Sequence, residues 1–161
     1  SSIIVNLMRR AGCGAKLKDP LDTNIVTYTI GALFVDDAEL YIWDDNYEPG
    51  QLWVRCQHEC DYWNQLLLGT GGALKPEKCF WYAIDYECVD GEWTYCDEHQ
   101  AEILVRDLNG VPQPISRHKV TEAKKVLGIY DSPSGDSHKH FDVIDEKFKT
   151  WNTRMKNGHL P

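Results

Sequence analysis

The chain has 161 residues, 42% of them apolar and 26% charged, proportions that suit one soluble globular domain with a single core. No apolar stretch approaches the roughly 20 residues of a membrane helix, and the start lacks the charged and apolar regions of a signal peptide, so spanning and secreted readings are set aside. The formal net charge of −8 argues against a general nucleic-acid-binding protein, which would carry a basic surface. It suits a module whose carboxylates hold divalent cations, with basic surface supplied by the remainder of a larger polypeptide.

Ile4, Leu7, Met8 and Ala11 recur at helical spacing over residues 1–11, and Gly12 and Gly14 end that segment. The pattern opens at Ser1 without a Met, which reads as a piece of a longer frame. A loop containing Asp19-Pro20 follows. Residues 25–43 are rich in β-formers, and Asp36 and Asp37 interrupt the apolar run at its middle. The expected geometry is an antiparallel hairpin of about residues 29–35 and 38–43 with both acids at the tip. Leu52, Cys56, Cys60, Trp63 and Leu67 predict a helix over 51–68 with one apolar stripe, broken by Gly69 to Gly72.

Strands are expected over 79–89 and 92–96 around an Asp90-Gly91 turn, and over 103–108 and 111–115 around Asn109-Gly110. A short strand at 125–130 leads to a Ser-Pro-Ser-Gly turn at 132–135. Phe141, Ile144, Phe148, Trp151 and Met155 then predict an amphipathic helix, capped by Asp136 or Ser137. The fold class is therefore α+β. Residues 1–136 form one body with a β-rich insertion at about 79–115, and residues 137–161 form a terminal helix.

The two adjacent acids need a physical reason. Like charges side by side repel, and burying them without partners is costly. A divalent cation removes both objections: Mg²⁺ takes one or two protein carboxylates plus substrate phosphates, and a rigid hairpin is a suitable mount. An exposed turn is the ordinary alternative, since Asp is common in turns.

Other features have plainer readings. Cys13, Cys56, Cys60, Cys79, Cys88 and Cys96 are irregularly spaced and read as reduced intracellular thiols, mostly in the core. A zinc site drawing on Cys56, His58 and Cys60 would want closely spaced ligand pairs, which are missing here. Phe80, Trp81, Tyr82, Trp93 and Tyr95 could stack bases, but in alternating strands half should fill a core. His138 and His140 sit at a solvated helix start. Lys147, Lys149, Arg154 and Lys156 are either a solvated face or contacts to a nucleic-acid backbone.

Phe34-Val35-Asp36-Asp37 resembles the aromatic-x-Asp-Asp box of retroelement reverse transcriptases. Three further segments follow in that family's order: Gly72-Ala-Leu-Lys-Pro-Glu-Lys78 resembles its Gly-x-Leu-x-x-x-Lys segment, Val126-Leu127-Gly128-Ile129-Tyr130 its primer-grip hairpin, and the helix from about residue 137 the start of its thumb. The resemblance covers nearly the whole chain. It implies an antiparallel palm-type sheet backed by the helices at 1–11 and 51–68, and an RNA-directed DNA polymerase using two Mg²⁺ ions. Its partners would be an RNA or DNA template, a DNA primer, deoxynucleoside triphosphates and the rest of the polymerase, with no membrane, inside the cell. By resemblance Asp36 is a direct metal ligand and Asp37 a supporting one. Lys78 lies near the triphosphate, and Phe34, Leu127 and Gly128 support the primer. The family's other catalytic Asp would precede Ser1, so this piece alone is expected to be inactive. A decayed remnant or a non-catalytic interaction module on the same scaffold is the alternative.

Overall fold

A computed structural model describes residues 2–34, 37–43, 50–96, 101–126 and 128–158, with only the backbone of Ser2, Phe34 and Asp37. Three helices and small antiparallel ladders make it α+β. In chain order these are α1 (Ser2–Arg10), β1 (Ala15–Lys18), β2 (Val26–Thr29), β3 (Gly31–Phe34), β4 (Asp37–Leu40) and α2 (Gln51–Gly69). A 3₁₀ turn (Pro76–Lys78) leads to β5 (Phe80–Tyr82), β6 (Tyr86–Val89), β7 (Glu92–Tyr95), β8 (Leu104–Arg106) and β9 (Pro112–Pro114). The chain closes with β10 (Ser116–His118), β11 (Lys124–Val126), β12 (Ile129–Asp131) and α3 (His138–Lys156). Two compact units divide it: residues 1–81 with 100–117, and residues 82–99 with 118–161.

In the first unit, α1 ends where Gly12 and Gly14 take φ of 77° and 99°. A Cβ on Gly14 would lie 2.5 Å from the Thr29 carbonyl oxygen, so only glycine fits there. The next four residues form β1 rather than a loop, pairing antiparallel with β2 from Ala15↔Thr29 to Lys18↔Val26. Its alternation of Lys with Ala and Leu gave too short an apolar signal to register as a strand. Met8, Cys13, Ile30 and Trp63 form the core, with Ile4, Val5, Leu40 and Leu66 packed against it.

The spacing of α2's apolar residues gave its extent to within a residue. It ends in a Schellman motif: Gly71 takes φ 83°, Gly72 N–H donates to Leu67 O at 3.0 Å, and Gly71 N–H donates to Leu68 O at 3.0 Å. On its flank the Gln57 amide acts as a strand edge, donating to Leu104 O and accepting from Leu104 N–H, both at 2.8 Å. That clip holds β8, whose neighbour Ile103 and own Val105 are buried.

The two Gly-containing turns differ. Asp90 and Gly91 both take positive φ, 53° and 85°, and the β6–β7 ladder closes at Val89↔Glu92, a type I′ hairpin. The β8–β9 ladder stops at Arg106↔Pro112, so Asn109-Gly110 is not a two-residue turn. There the Asp107 carboxylate accepts from Asn109 N–H at 2.8 Å and Val111 N–H at 3.0 Å, widening the loop.

In the second unit, the single strand expected at 125–130 is instead the hairpin β11–β12, paired from Lys124↔Asp131 to Val126↔Ile129. Gly128 in its connection takes φ 86°. Ser137 holds the N-cap position of α3 without a side-chain bond, and it is the preceding Asp136 whose carboxylate accepts from His138 N–H at 2.9 Å. The helix's apolar stripe is present but uncovered, from Met155 at 41% exposed to Phe141 at 63%. Among the described residues, no helix is long and apolar enough to cross a membrane.

Candidate functional site

β3 and β4 pair from Gly31↔Leu40 to Phe34↔Asp37. Gly31 is required at the open end of this ladder, because a Cβ there would overlap the Glu39 carbonyl oxygen. Asp36 lies outside the described residues, as do the side chains of Phe34 and Asp37. The expectation that both acids stand at a hairpin tip, with Asp36 exposed, falls on that segment.

What holds this ladder in place is a polar knot that sequence reading missed. Glu59 is 2% exposed and accepts from Gly14 N–H at 2.9 Å and from Arg55 Nε at 3.0 Å. Arg55 spends its other donors on main-chain carbonyls, Gly14 O at 2.8 Å and Trp43 O at 3.0 Å. One guanidinium thus ties α2 to the residue before β1 and to the segment leaving β4. Glu59 lies one helical turn from Trp63, in the core, and on an amphipathic helix a Glu ordinarily reads as solvated. The available signal was the i,i+4 spacing to Arg55 beside the Gly12–Gly14 turn, whose backbone N–H groups need acceptors.

Lys78 ends the 3₁₀ turn with its side chain exposed. Whether it shares a cleft with Asp36 falls on the undescribed segment. Leu127 lies outside the described residues. Gly128 shows nothing within 4 Å of a would-be Cβ, so its positive φ, not crowding, calls for glycine.

The thiols fit a packed environment for the most part. Burial pushes Cys56 up to about 11 and Cys60 up to about 12, and it raises Cys79 as well, so all three are protonated and unreactive at neutral pH. Cys88 departs from the core expectation: it is exposed on β6, opposite Trp93 on β7. Trp93 is itself 74% exposed. Of the five aromatics, half of which were expected to fill a core, Trp93 is thus exposed, while Phe80, Trp81, Tyr82 and Tyr95 are half-buried.

At the start of α3, His138 is held above its ordinary value by the Asp136 carboxylate. Asp136 is held below its own, chiefly by the backbone N–H of His138. His140 Nδ1 faces Tyr130 N–H at 3.3 Å. Among the described residues, no group of three or more His, Cys, Asp or Glu is arranged to hold a metal ion. Comparisons with protein-family models, with curated proteins and with solved structures returned no match.

Proposed function

We propose that this chain is part of a reverse transcriptase, running from the Asp-Asp box of the palm to the start of the thumb, and that it serves template-directed DNA synthesis. The observation that carries this reading is the order of four segments along one chain: Phe34 to Asp37, Gly72 to Lys78, Val126 to Tyr130, and the amphipathic helix after residue 137. Two of them fall on short antiparallel ladders, β3–β4 and β11–β12, which suits segments that must present a few residues rigidly.

In this reading Asp36 binds the metal directly and Asp37 supports it. The donors are hard carboxylate oxygens, the chemistry Mg²⁺ prefers. Two Mg²⁺ ions, when bound, activate the attacking primer hydroxyl and stabilise the leaving pyrophosphate. The chain's own part is to orient: Phe34 packs under the primer terminus, Leu127 and Gly128 support the primer backbone, and Lys78 lies beside the triphosphate. The net charge of −8 suits a reading in which the rest of the polypeptide supplies most of the duplex-binding surface.

Primer extension by the full-length polypeptide carrying this chain, with labelled deoxynucleotides, tests the reading. Asp36→Asn should abolish extension, since it keeps the shape and removes the charge that holds the ion. The 161-residue chain alone should extend nothing. Undiminished extension by the Asp36→Asn polypeptide would overturn the assignment.

A further inference from the structure

In the second unit, two neighbouring residues in the first turn of α3 hold both strands of the β11–β12 hairpin. Lys139 Nζ donates at 3.2 Å to the carbonyl of Ala123, the buried residue that enters β11. The same ammonium lies 5.0 Å from the centre of the Tyr130 ring on β12, a cation–π contact. Tyr130 pairs with Lys125 in the ladder, yet its N–H donates outward to His140 Nδ1 at 3.3 Å, as a non-hydrogen-bonded pair of an antiparallel ladder allows. Tyr130 and His140 are both half-buried.

These contacts differ in what they ask of the side chain. Lys139 supplies a donor and a charge, whereas His140 must accept. An imidazole nitrogen accepts only when it carries no proton, so this bond exists only in the neutral ring with its proton on Nε2. A protonated ring is a donor at both nitrogens and would set N–H against N–H.

We propose that Lys139 and His140 latch the β11–β12 hairpin to α3, and that protonation of His140 releases the β12 side of the latch. The charged groups around the ring do not oppose release. Asp136 lies one turn before His140, but its carboxylate is held by His138. Asp142 lies about 200° around the helix from His140. On β12, the Asp131 carboxylate accepts from Ser132 N–H at 2.9 Å. On β11, Lys125 stands opposite Tyr130, and Lys124 is paired with Glu122, which also holds His118. A charge on His140 therefore adds to that of its chain neighbour Lys139. Lys139 keeps Ala123 and the Tyr130 ring, so release loosens the hairpin without unfolding it. In the proposed function this hairpin carries Leu127 and Gly128, the residues assigned to the primer backbone. The latch stands on its own contacts and does not rest on that reading.

Amide hydrogen exchange of the 161-residue chain tests the latch, read by NMR across a pH series and corrected for the intrinsic rate of each amide. The ring resonances of His140 are followed in the same samples. Protection of the Tyr130 N–H should fall about fivefold, the worth of one neutral hydrogen bond, at the midpoint of the His140 titration. Amides bonded within the β11–β12 ladder should hold theirs. His140→Gln, whose side-chain carbonyl still accepts, should keep Tyr130 protected throughout the series, and His140→Asn serves if that chain fails to fold. His138→Gln should leave the transition in place, and Lys139→Met should lower protection at every pH without abolishing it. Protection of Tyr130 that stays constant through the His140 titration overturns the proposal. So does a transition that persists in His140→Gln or vanishes in His138→Gln, or a loss shared equally by the ladder amides, which is melting of the hairpin rather than its release.

Discussion

Replacing Glu59 should cost far more than a helix-surface glutamate usually does. Glu59→Ala leaves Gly14 N–H without its charged acceptor and strips one partner from Arg55, bonds made at 2.9 and 3.0 Å. Removing a charged acceptor from a buried N–H costs about 1.5–3 kcal/mol, and breaking a buried ion pair costs about 3–5. The upper figure overstates this case, because the Arg55 side chain is 31% exposed and keeps its bonds to the Gly14 and Trp43 carbonyls. About 3 kcal/mol is therefore expected for Glu59→Ala. Glu59→Gln should cost about half as much, since its amide oxygen still accepts from Gly14 while its NH₂ faces the guanidinium. For a chain of this size each kcal/mol is worth about 2–4 °C in Tm, so Glu59→Ala should melt roughly 6–12 °C lower. Urea unfolding followed by circular dichroism measures both variants, and a cycle with Arg55→Ala measures their coupling. A change within about 0.5 kcal/mol for Glu59→Ala, the range of ordinary surface positions, would refute the claim that this knot holds the unit together.

Two further outcomes follow from the same geometry. Gly31→Ala should destabilise the chain by about 2–3 kcal/mol, because its Cβ would meet the Glu39 carbonyl across the ladder, and in the full-length polypeptide it should lower primer extension with Asp36 untouched; thermal melting and the extension assay read the two effects. At the start of α3, NMR titration should place His138 above about 6.5 and Asp136 below about 3.9; His138 should return toward its ordinary value when Asp136 is replaced, whereas Asp136 should recover only in part when His138 is replaced, because the backbone N–H that chiefly lowers it stays. The raised His138 contributes stability that is full below its unfolded value and lost as pH rises through its folded one. The lowered Asp136 contributes stability present above its unfolded value and lost as pH falls through its folded one, so helix-start protection from hydrogen exchange should peak in the mildly acidic window between them.

Periodicity and turn chemistry made most of the helices and hairpins legible in the sequence. α2 and α3 each carry four or five apolar residues at helical spacing, enough for a 3.6-residue period to stand out. Asp90-Gly91 declared its turn because few dipeptides tolerate positive φ at both positions. The failures have causes of two kinds. β1 has four residues and exposes most of them, so it has no buried face to imprint a pattern; it is specified by its pairing with β2 and by the close approach of Gly14 to Thr29, contacts between residues well separated in sequence. Asn109-Gly110 looked like a two-residue turn until the Asp107 carboxylate, three residues before Gly110, captured two backbone N–H groups and widened the loop. The candidate site divides in the same way. The proposed ligand, Asp36, is legible as a motif because its role rests on residue type and position within four residues. Arg55 and Glu59, which fix the approach to and exit from the β3–β4 ladder, work through Gly14 and Trp43, 41 and 12 residues from Arg55 along the chain, and no local pattern encodes that separation. Residues that position a site are hardest to read where, as here, they act on backbone atoms, because backbone acceptors leave no residue-type signature at the other end of the bond.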